Sequence, residues 1–329
     1  MNMHFGLKPK MAVLGNGKMA FAIVYVLIVM GYTVVWWNHR RASFDDELEE
    51  DGKTLKKKGA ITRLKELIAK KNASMMDDLM ARVQITKNLG DIGVCDFVLE
   101  SVMEEKRKDS PIKTGLFRDI ARVLTASRRI QTTIVMTNSS SELLSDFAAD
   151  YPVPGNLIHW HWMNPAHVQK LIEIMRWPHT SDDTYNKVVA LTQDIGREPV
   201  DCPYIPGGIV NRELFAMIAI RAEILEVAIE SGADIGSILA NIQKLMGDIC
   251  KIGADPMLTA AFVAWDVTNL IIQNCGFRES WVLLALEALE EKSLVGHKDP
   301  QGLRDRLLAW RAENPNAGAP GAQPQSLAA

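Results

Sequence analysis

One stretch constrains this chain more than any other. Residues 12–41, AVLGNGKMAFAIVYVLIVMGYTVVWWNHRR, carry no charge from Met19 to Trp37, and basic residues flank both ends. A run of that kind approaches the ~20 apolar residues a membrane-spanning helix needs. The run nevertheless divides internally. Gly31-Tyr32 interrupts it, and Thr33-Val34-Val35-Trp36-Trp37 is β-branched and aromatic, as suits a strand. The stretch before Gly31 lacks turn residues and suits a helix. A membrane span would have no use for the preceding Met11-Ala12-Val13-Leu14-Gly15-Asn16-Gly17, and a signal peptide would need a small-residue cleavage site followed by a new start. The stretch therefore reads as strand, loop, helix and second strand inside a packed core, with no membrane partner.

The same alternation continues. Short apolar runs predict strands at 84–87, 96–100, 132–136, 156–162, 170–175 and 198–202, besides 11–14 and 33–37. Amphipathic stretches predict helices at 18–30, 43–58, 61–82, 112–126, 139–149 and 181–195. Strands alternating with helices imply a mainly parallel, doubly wound α/β sheet covered on both faces. The charged stretch 50–82 is too long for an ordinary crossover and reads as a protruding helical pair. After Tyr204-Ile205-Pro206-Gly207-Gly208 only helical periodicity remains. The expected organisation is a sheet domain over 1–205, a smaller all-α domain over 206–312, and a Pro/Ala/Gly-rich disordered tail over 313–329.

A chain of 329 residues has room for two such domains. Its formal charge of -3 disfavours a nucleic-acid partner. The four cysteines are far apart with no CxxC spacing, which suits free thiols in a reducing, cytoplasmic setting.

Gly15-Asn16-Gly17-Lys18-Met19-Ala20 fits G-x-G-x-x-[G/A], directly after a strand and opening a helix. The first glycine permits a tight turn and the second lets backbone approach a pyrophosphate. The small third residue allows close packing, and the helix N-terminus supplies N–H donors. A dinucleotide is the expected ligand. NAD-binding versions place an acidic residue at the end of the second strand, whereas this chain has Asn38, followed by His39-Arg40-Arg41. Without that carboxylate a 2′-phosphate is not repelled and Arg40 can pair with it, so NADP(H) is expected over NAD(H).

Residues 156–165 read NLIHWHWMNP, with His159 and His161 facing one side of a strand. His-x-His also occurs in metal sites, but Cys or Asp ligands at convincing spacing are missing, so no metal is expected. Glu173 lies in the strand-like Lys170-Leu171-Ile172-Glu173-Ile174. A carboxylate there is costly to bury without a partner, and a histidine beside it would gain the orientation and basicity of a general base.

In this order the motifs resemble the 3-hydroxyacyl-CoA dehydrogenase family, from about Met11 to Gly232. The likeness rests on Gly15-Asn16-Gly17, Asp96-Phe97-Val98-Leu99-Glu100 with Glu104, and Thr137-Asn138-Ser139-Ser140-Ser141. It continues through His161-Trp162-Met163-Asn164-Pro165, Lys170-Leu171-Ile172-Glu173 and Pro206-Gly207-Gly208-Ile209-Val210-Asn211-Arg212. The resemblance implies a Rossmann-like domain followed by a helical domain through which subunits dimerise. It makes His161 the catalytic base and Glu173 its orienting carboxylate. It sets Thr137, Asn164 and Asn211 around the substrate, and Glu104 near the nicotinamide ribose. The implied reaction is hydride transfer between the cofactor and the 3-hydroxy/3-oxo carbon of an acyl thioester. Lys56, Lys57, Lys58, Arg63, Lys65, Lys70 and Lys71 would then meet coenzyme A phosphates, the alternative being a solvated helix face. The alternatives are the same chemistry on a free 3-hydroxy acid, as in carnitine or gulonate dehydrogenases, or a non-catalytic protein on this fold. The chain departs from the family where Ala260-Ala261-Phe262-Val263 replaces Gly-Pro-Phe-Glu, at Gly296-His297-Lys298-Asp299-Pro300-Gln301-Gly302, and at an insertion from Lys106 to Pro111.

Overall fold

Short apolar runs separated by amphipathic ones become strands and crossover helices in the computed structural model. It describes residues 8–39, 44–48, 55–104, 111–250, 265–275, 282, 284–286, 288, 300–315 and 317. In chain order the strands are β1 (Met11–Leu14), β2 (Val34–Trp37), the short β3 (Glu47–Leu48) and β4 (Leu55–Lys57), and β5 (Val83–Thr86). They continue as β6 (Phe97–Glu100), β7 (Ile134–Thr137), β8 (Leu157–Trp162), β9 (Leu171–Met175) and β10 (Glu198–Cys202). The helices among them are α1 (Lys18–Val29), α2 (Ala60–Asn72), α3 (Met76–Met80), α4 (Pro111–Ala126), α5 (Leu144–Phe147) and α6 (Asp182–Asp194). Eight strands form one sheet in the order β10-β9-β8-β7-β6-β1-β2-β5. Every neighbouring pair is parallel except β8 with β9.

The central strands are buried throughout because helices cover both faces. Alternate residues go to opposite sides: Met11, Val13, Trp36 and Leu99 join one core, while Ala12, Leu14, Trp37 and Val98 join the other. The opening run is explained by this packing. In α1, residues from Ala20 to Ile28 are buried nearly all round, in one core with Leu64, Ile68 and Leu79 of α2 and α3. At 12 residues α1 is ~18 Å long, short of the ~30 Å of a bilayer core. Among the described residues no helix is long and apolar enough to cross a membrane.

Two expectations are corrected. Of the helix expected over 43–58, the described residues instead form the antiparallel β3–β4 pair, with Glu47 opposite Lys57. Phe44 is buried against Trp36, and Gly59 lies against the Phe44–Asp45 backbone, where a side chain would not fit. That anchorage overrides the helical propensity of the charged residues. The stretch 60–80 does not protrude either: Ala60, Leu64, Leu67 and Ile68 form a buried stripe against α1, and the Tyr25 hydroxyl donates to Asn72 Oδ1 at 2.6 Å.

The chain divides after Gly208 into two units. The second contains α7 (Val210–Glu230), α8 (Ile235–Cys250), α9 (Trp265–Cys275) and α10 (Pro300–Glu313), with no strand among the described residues. Phe215, Ile218, Ala222, Leu225 and Ile229 give α7 a helical apolar stripe that packs with Ile235, Ile271, Ile272 and Leu307. Of the expected tail, Glu313 ends α10 and Arg311 holds the Ala317 carbonyl at 2.7 Å. Residues 318–329 lie outside the described residues, as do 251–264 and 105–110, where departures from the family pattern fall.

Candidate active site

Strand register draws the site. Trp37, Leu14, Glu100 and Thr137 are successive partners that end β2, β1, β6 and β7 and mark the carboxyl edge of the parallel strands; His159, the partner of Thr137, lies within β8, which runs on to Trp162. In doubly wound sheets ligands bind beyond that edge, where the strand order reverses. Here β1 is the switch point, with β2 on one side and β6 on the other.

The glycine loop leaves β1 at this edge. Gly15 has φ +117°, donates its N–H to the Trp37 carbonyl at 2.9 Å, and accepts from Trp36 Nε1 at 2.7 Å. A side chain on Gly15 would overlap the Ser101 carbonyl. A side chain on Gly17 would meet nothing within 4 Å. The protein's own packing therefore requires glycine at 15 and leaves open space at 17, as a cradle for a backbone-bound phosphate does. Gly17 is the N-cap of α1, with no side-chain cap and no acidic residue in the first turn. Those N–H donors and the positive helix end suit an anion. Lys18 is exposed beside them and Met19 is half-buried. Asn38, buried at the end of β2, donates from Nδ2 to Asn16 Oδ1 at 3.1 Å. Arg40 lies outside the described residues.

Across the edge, the antiparallel β8–β9 register sets His161 opposite Glu173. His161 Nδ1 is 2.8 Å from Glu173 Oε2, and both side chains are buried. This contact fixes the ring and leaves Nε2 as the nitrogen that can exchange a proton. Trp160 and Trp162 occupy the other face of β8 and pack edge to face at 4.9 Å. His159 shares His161's face but not its chemistry. Burial first, then the charges of His161 and Lys113, push its pKa down to about 3. Its Nε2 accepts the Leu144 N–H at 3.2 Å, so it is a neutral loop anchor.

Between these two features lies the 137–142 loop, where one expectation is corrected. Thr137 is fully buried, donates to Glu100 Oε2 at 2.5 Å, and accepts from the Ser139 N–H at 3.1 Å. Its hydroxyl is committed to the protein and is not open to a substrate. Glu104 accepts from the hydroxyls of Ser139 and Ser141, each at 2.9 Å, and from the Ser140 and Ser141 N–H groups. Of the serines on this loop, half-buried Ser140 is the one whose hydroxyl Glu104 does not take. Asn138 accepts the Trp162 N–H at 2.9 Å, tying the loop to the strand of His161.

Beneath the loop is a buried charge network. Lys113 Nζ lies 2.7 Å from Glu142 Oε2 and 3.8 Å from Glu100 Oε2, with all three side chains fully buried. Burial would lower the Lys113 pKa, but Glu100, Glu104 and Glu142 reverse this and raise it. Burial would likewise raise Glu104, yet the Lys113 charge and the bonds from Ser139, Ser140 and Ser141 hold it below the usual carboxylate range. Sequence reasoning missed Ser140, Lys113 and Glu142. Asn164 is exposed just beyond β8, and Asn211 sits half-buried in the first turn of α7 in the second unit. Among the described residues no group of His, Cys, Asp and Glu is arranged to hold a metal ion.

Comparison with known proteins agrees with this geometry. Residues 10–204 match a family model described as "3-hydroxyacyl-CoA dehydrogenase, NAD binding domain". The chain is 26% identical over 304 residues to a probable 3-hydroxybutyryl-CoA dehydrogenase of Deinococcus radiodurans, covering 89% of this chain and 98% of the relative. It is 30% identical over 209 residues to the 3-hydroxybutyryl-CoA dehydrogenase of Clostridioides difficile, covering 64% of this chain and 69% of the relative. The crystal structure of (S)-3-hydroxybutyryl-CoA dehydrogenase from Ralstonia eutropha superposes with a TM-score of 0.69 at 22% identity, over 89% of this chain and 96% of that one. At that identity the superposition speaks for the fold.

Proposed function

Since the chain belongs to the 3-hydroxyacyl-CoA dehydrogenase family, we propose that it is a nicotinamide-dependent oxidoreductase acting at the 3-hydroxy/3-oxo carbon of an acyl thioester. His161 is its general acid and base, and Glu173 orients it. The observation that carries this reading is the 2.8 Å contact between His161 Nδ1 and Glu173 Oε2 across the strand register. The names of the two curated relatives support a coenzyme A thioester as the substrate.

The loop from Gly15 through Asn16, Gly17, Lys18 and Met19 is open where a phosphate needs room and closed where it does not, so it fits the cofactor's pyrophosphate. A bound nicotinamide would supply the hydride chemistry, as acceptor for the carbinol hydrogen in oxidation or as donor to the oxo carbon in reduction. Glu173 takes the Nδ1 proton of His161 as its hydrogen bond, which keeps the lone pair on Nε2. In oxidation Nε2 removes the hydroxyl proton; in reduction the imidazolium, steadied by the same carboxylate, gives it back. The Ser140 hydroxyl is the loop donor left to meet the substrate oxygen, with Asn164 and Asn211 as further polar partners. Donors fixed before reaction stabilise charge growing on that oxygen. Glu104 serves the cofactor side by holding the 139–141 turn.

Buried Asn38 supports NADP(H), because it sets no carboxylate against a 2′-phosphate; Arg40 is its proposed partner. Exposed Ile220, Ile224 and Val227 form an apolar stripe along α7, which supports a homodimer through the second unit.

The test is turnover of acetoacetyl-CoA against free 3-oxo acids, with NADPH and NADH in parallel. The thioester is expected to be preferred, and kcat/KM with NADPH to exceed that with NADH. His161→Gln should lower kcat by about 10²–10⁴-fold with cofactor affinity nearly unchanged. Unchanged turnover in that variant overturns the assignment, and preference for the free acid moves it to that substrate class.

A further inference from the structure

We propose that Asn138 is a positioning residue for this reaction: its side-chain amide holds the end of β8, and His161 with it, against the strand ends beside the glycine loop. The proposal rests on the dyad reading above.

β7 ends at Thr137, level with His159, whereas β8 runs on through His161 to Trp162. On its other flank β8 stays paired with β9 as far as Trp162. The strand end that carries the base thus has a ladder on one side and outruns its neighbour on the other. A buried backbone N–H there needs an acceptor. Buried Asn138, the residue after β7, supplies it: its Oδ1 accepts the Trp162 N–H at 2.9 Å.

The same residue reaches toward the cofactor side. Its own N–H donates to the Glu100 carbonyl at 2.8 Å, and its Nδ2 donates to Ser101 Oγ at 3.4 Å. Ser101 donates its N–H to the Leu14 carbonyl at 2.8 Å, and its carbonyl is the group that a side chain on Gly15 would overlap. One residue thus spans from the neighbour of His161 to the residue that abuts the glycine loop. The base and the bound cofactor must address one carbinol, so they need a common frame; a misplacement of about 1 Å costs about 10²-fold in rate.

Asn156 is the control at the opposite end of the strand. It directly precedes β8, is half-buried, and donates from Nδ2 to the Ile130 carbonyl at 3.3 Å. Losing either amide loosens one end of β8. Only Asn138 holds the end that carries His161.

The experiment compares Asn138→Leu and Asn156→Leu, alone and combined with His161→Gln, by steady-state kinetics and thermal unfolding. Leucine is close to asparagine in shape but can neither donate nor accept. Asn138→Leu should lower kcat about 10-fold or more, with KM for the cofactor within about 2-fold. Asn156→Leu should leave kcat unchanged, and both should lose a few degrees of Tm. In the His161→Gln background Asn138→Leu should cost less than about 3-fold more, because the base whose place it keeps is gone. A purely structural role predicts independent, multiplying losses instead, and that result overturns the proposal. Should Asn138→Leu fail to accumulate folded, Asn138→Ser carries the same test, since its hydroxyl is too short to reach the Trp162 N–H. If His161→Gln lowers kcat and a folded Asn138 variant does not, the proposal is overturned while the dyad stands. If His161→Gln itself has no effect, the dyad reading fails first. If neither Asn138 variant folds while Asn156→Leu does, Asn138 belongs to the fold and the proposal is overturned.

Discussion

Two buried charge centres share one sheet edge and are built to opposite specifications. The His161–Glu173 dyad sets one carboxylate against one imidazole, on neighbouring strands whose register fixes their distance at 2.8 Å. The network around Lys113 sets Glu100, Glu104 and Glu142 around one ammonium, under a loop laced by the Ser139, Ser140 and Ser141 hydrogen bonds. The imidazole, tied to Glu173 through Nδ1, keeps Nε2 to exchange a proton. The ammonium cannot release one, because its surrounding carboxylates hold its pKa up against burial. One centre is therefore fitted to move a proton, and the other to hold a loop still while that happens.

The sharpest way to break this contrast is to remove the ammonium. Lys113→Met keeps much of the volume and strands buried carboxylates, which costs about 3–5 kcal/mol when one partner of a buried pair is lost. Denaturant unfolding should show that loss, with kcat per folded molecule falling less than in His161→Gln. Adding Glu142→Gln should recover part of the stability, because the two residues share one interaction. Wild-type stability with turnover abolished in Lys113→Met would move the network into the chemistry and erase the distinction.

A smaller test divides the 137–142 loop itself. Thr137→Val removes the hydroxyl that links Glu100 to the Ser139 N–H, leaving buried polar groups short of a partner at about 1–3 kcal/mol. Ser140→Ala touches a hydroxyl that Glu104 does not hold, so stability should stay within about 0.5 kcal/mol. Its cost should appear in kcat/KM, at about 10-fold, if that hydroxyl meets the substrate oxygen. Paired unfolding and kinetic measurements check both; effects the other way round would return the substrate contact to Thr137.

The sequence carried the dyad better than the network for a physical reason. A carboxylate inside Leu171-Ile172-Glu173-Ile174 is conspicuous because nothing else in that strand is charged, and β8 beside it offers a histidine in phase. Strands buried on both faces are equally conspicuous, so β1, β2, β6 and β8 lie where the apolar runs do. Lys113 lies within the helix expected over 112–126, where its residue type alone does not single it out. Its signal was position: it falls on the same stripe as Leu116, Phe117, Ile120 and Leu124, which is the buried one. Nothing in Thr137-Asn138-Ser139-Ser140-Ser141 tells which hydroxyl stays free, because Glu104 makes that choice from a different strand end. The β3–β4 pair escaped notice for a related reason: Phe44 and Gly59 fix it through contacts beyond the range of local periodicity.

A further test separates His159 from His161, which share a strand face. His159 is held near a pKa of about 3 by burial and by the nearby cationic side chains, against an ordinary 6.5. An unfolded chain binds the proton that the folded one refuses. Stability associated with this residue is therefore whole above pH 6.5 and is lost progressively as pH falls toward about 3. His167, also lowered by burial and the charges of Lys71, Lys70 and Arg197, tilts the curve the same way. Glu104, lowered as well, adds to the loss only below the ordinary carboxylate value of 4.5. The window from 6.5 down to 4.5 thus belongs to histidines, and one substitution isolates the share of His159. His159→Gln can still accept the Leu144 N–H through its amide oxygen, yet it cannot titrate. Unfolding free energy followed across that window should slope less steeply in the variant than in the wild type, by up to one proton. An unchanged slope would mean that His159 is charged in the folded chain, and the two histidines would no longer be physically distinct.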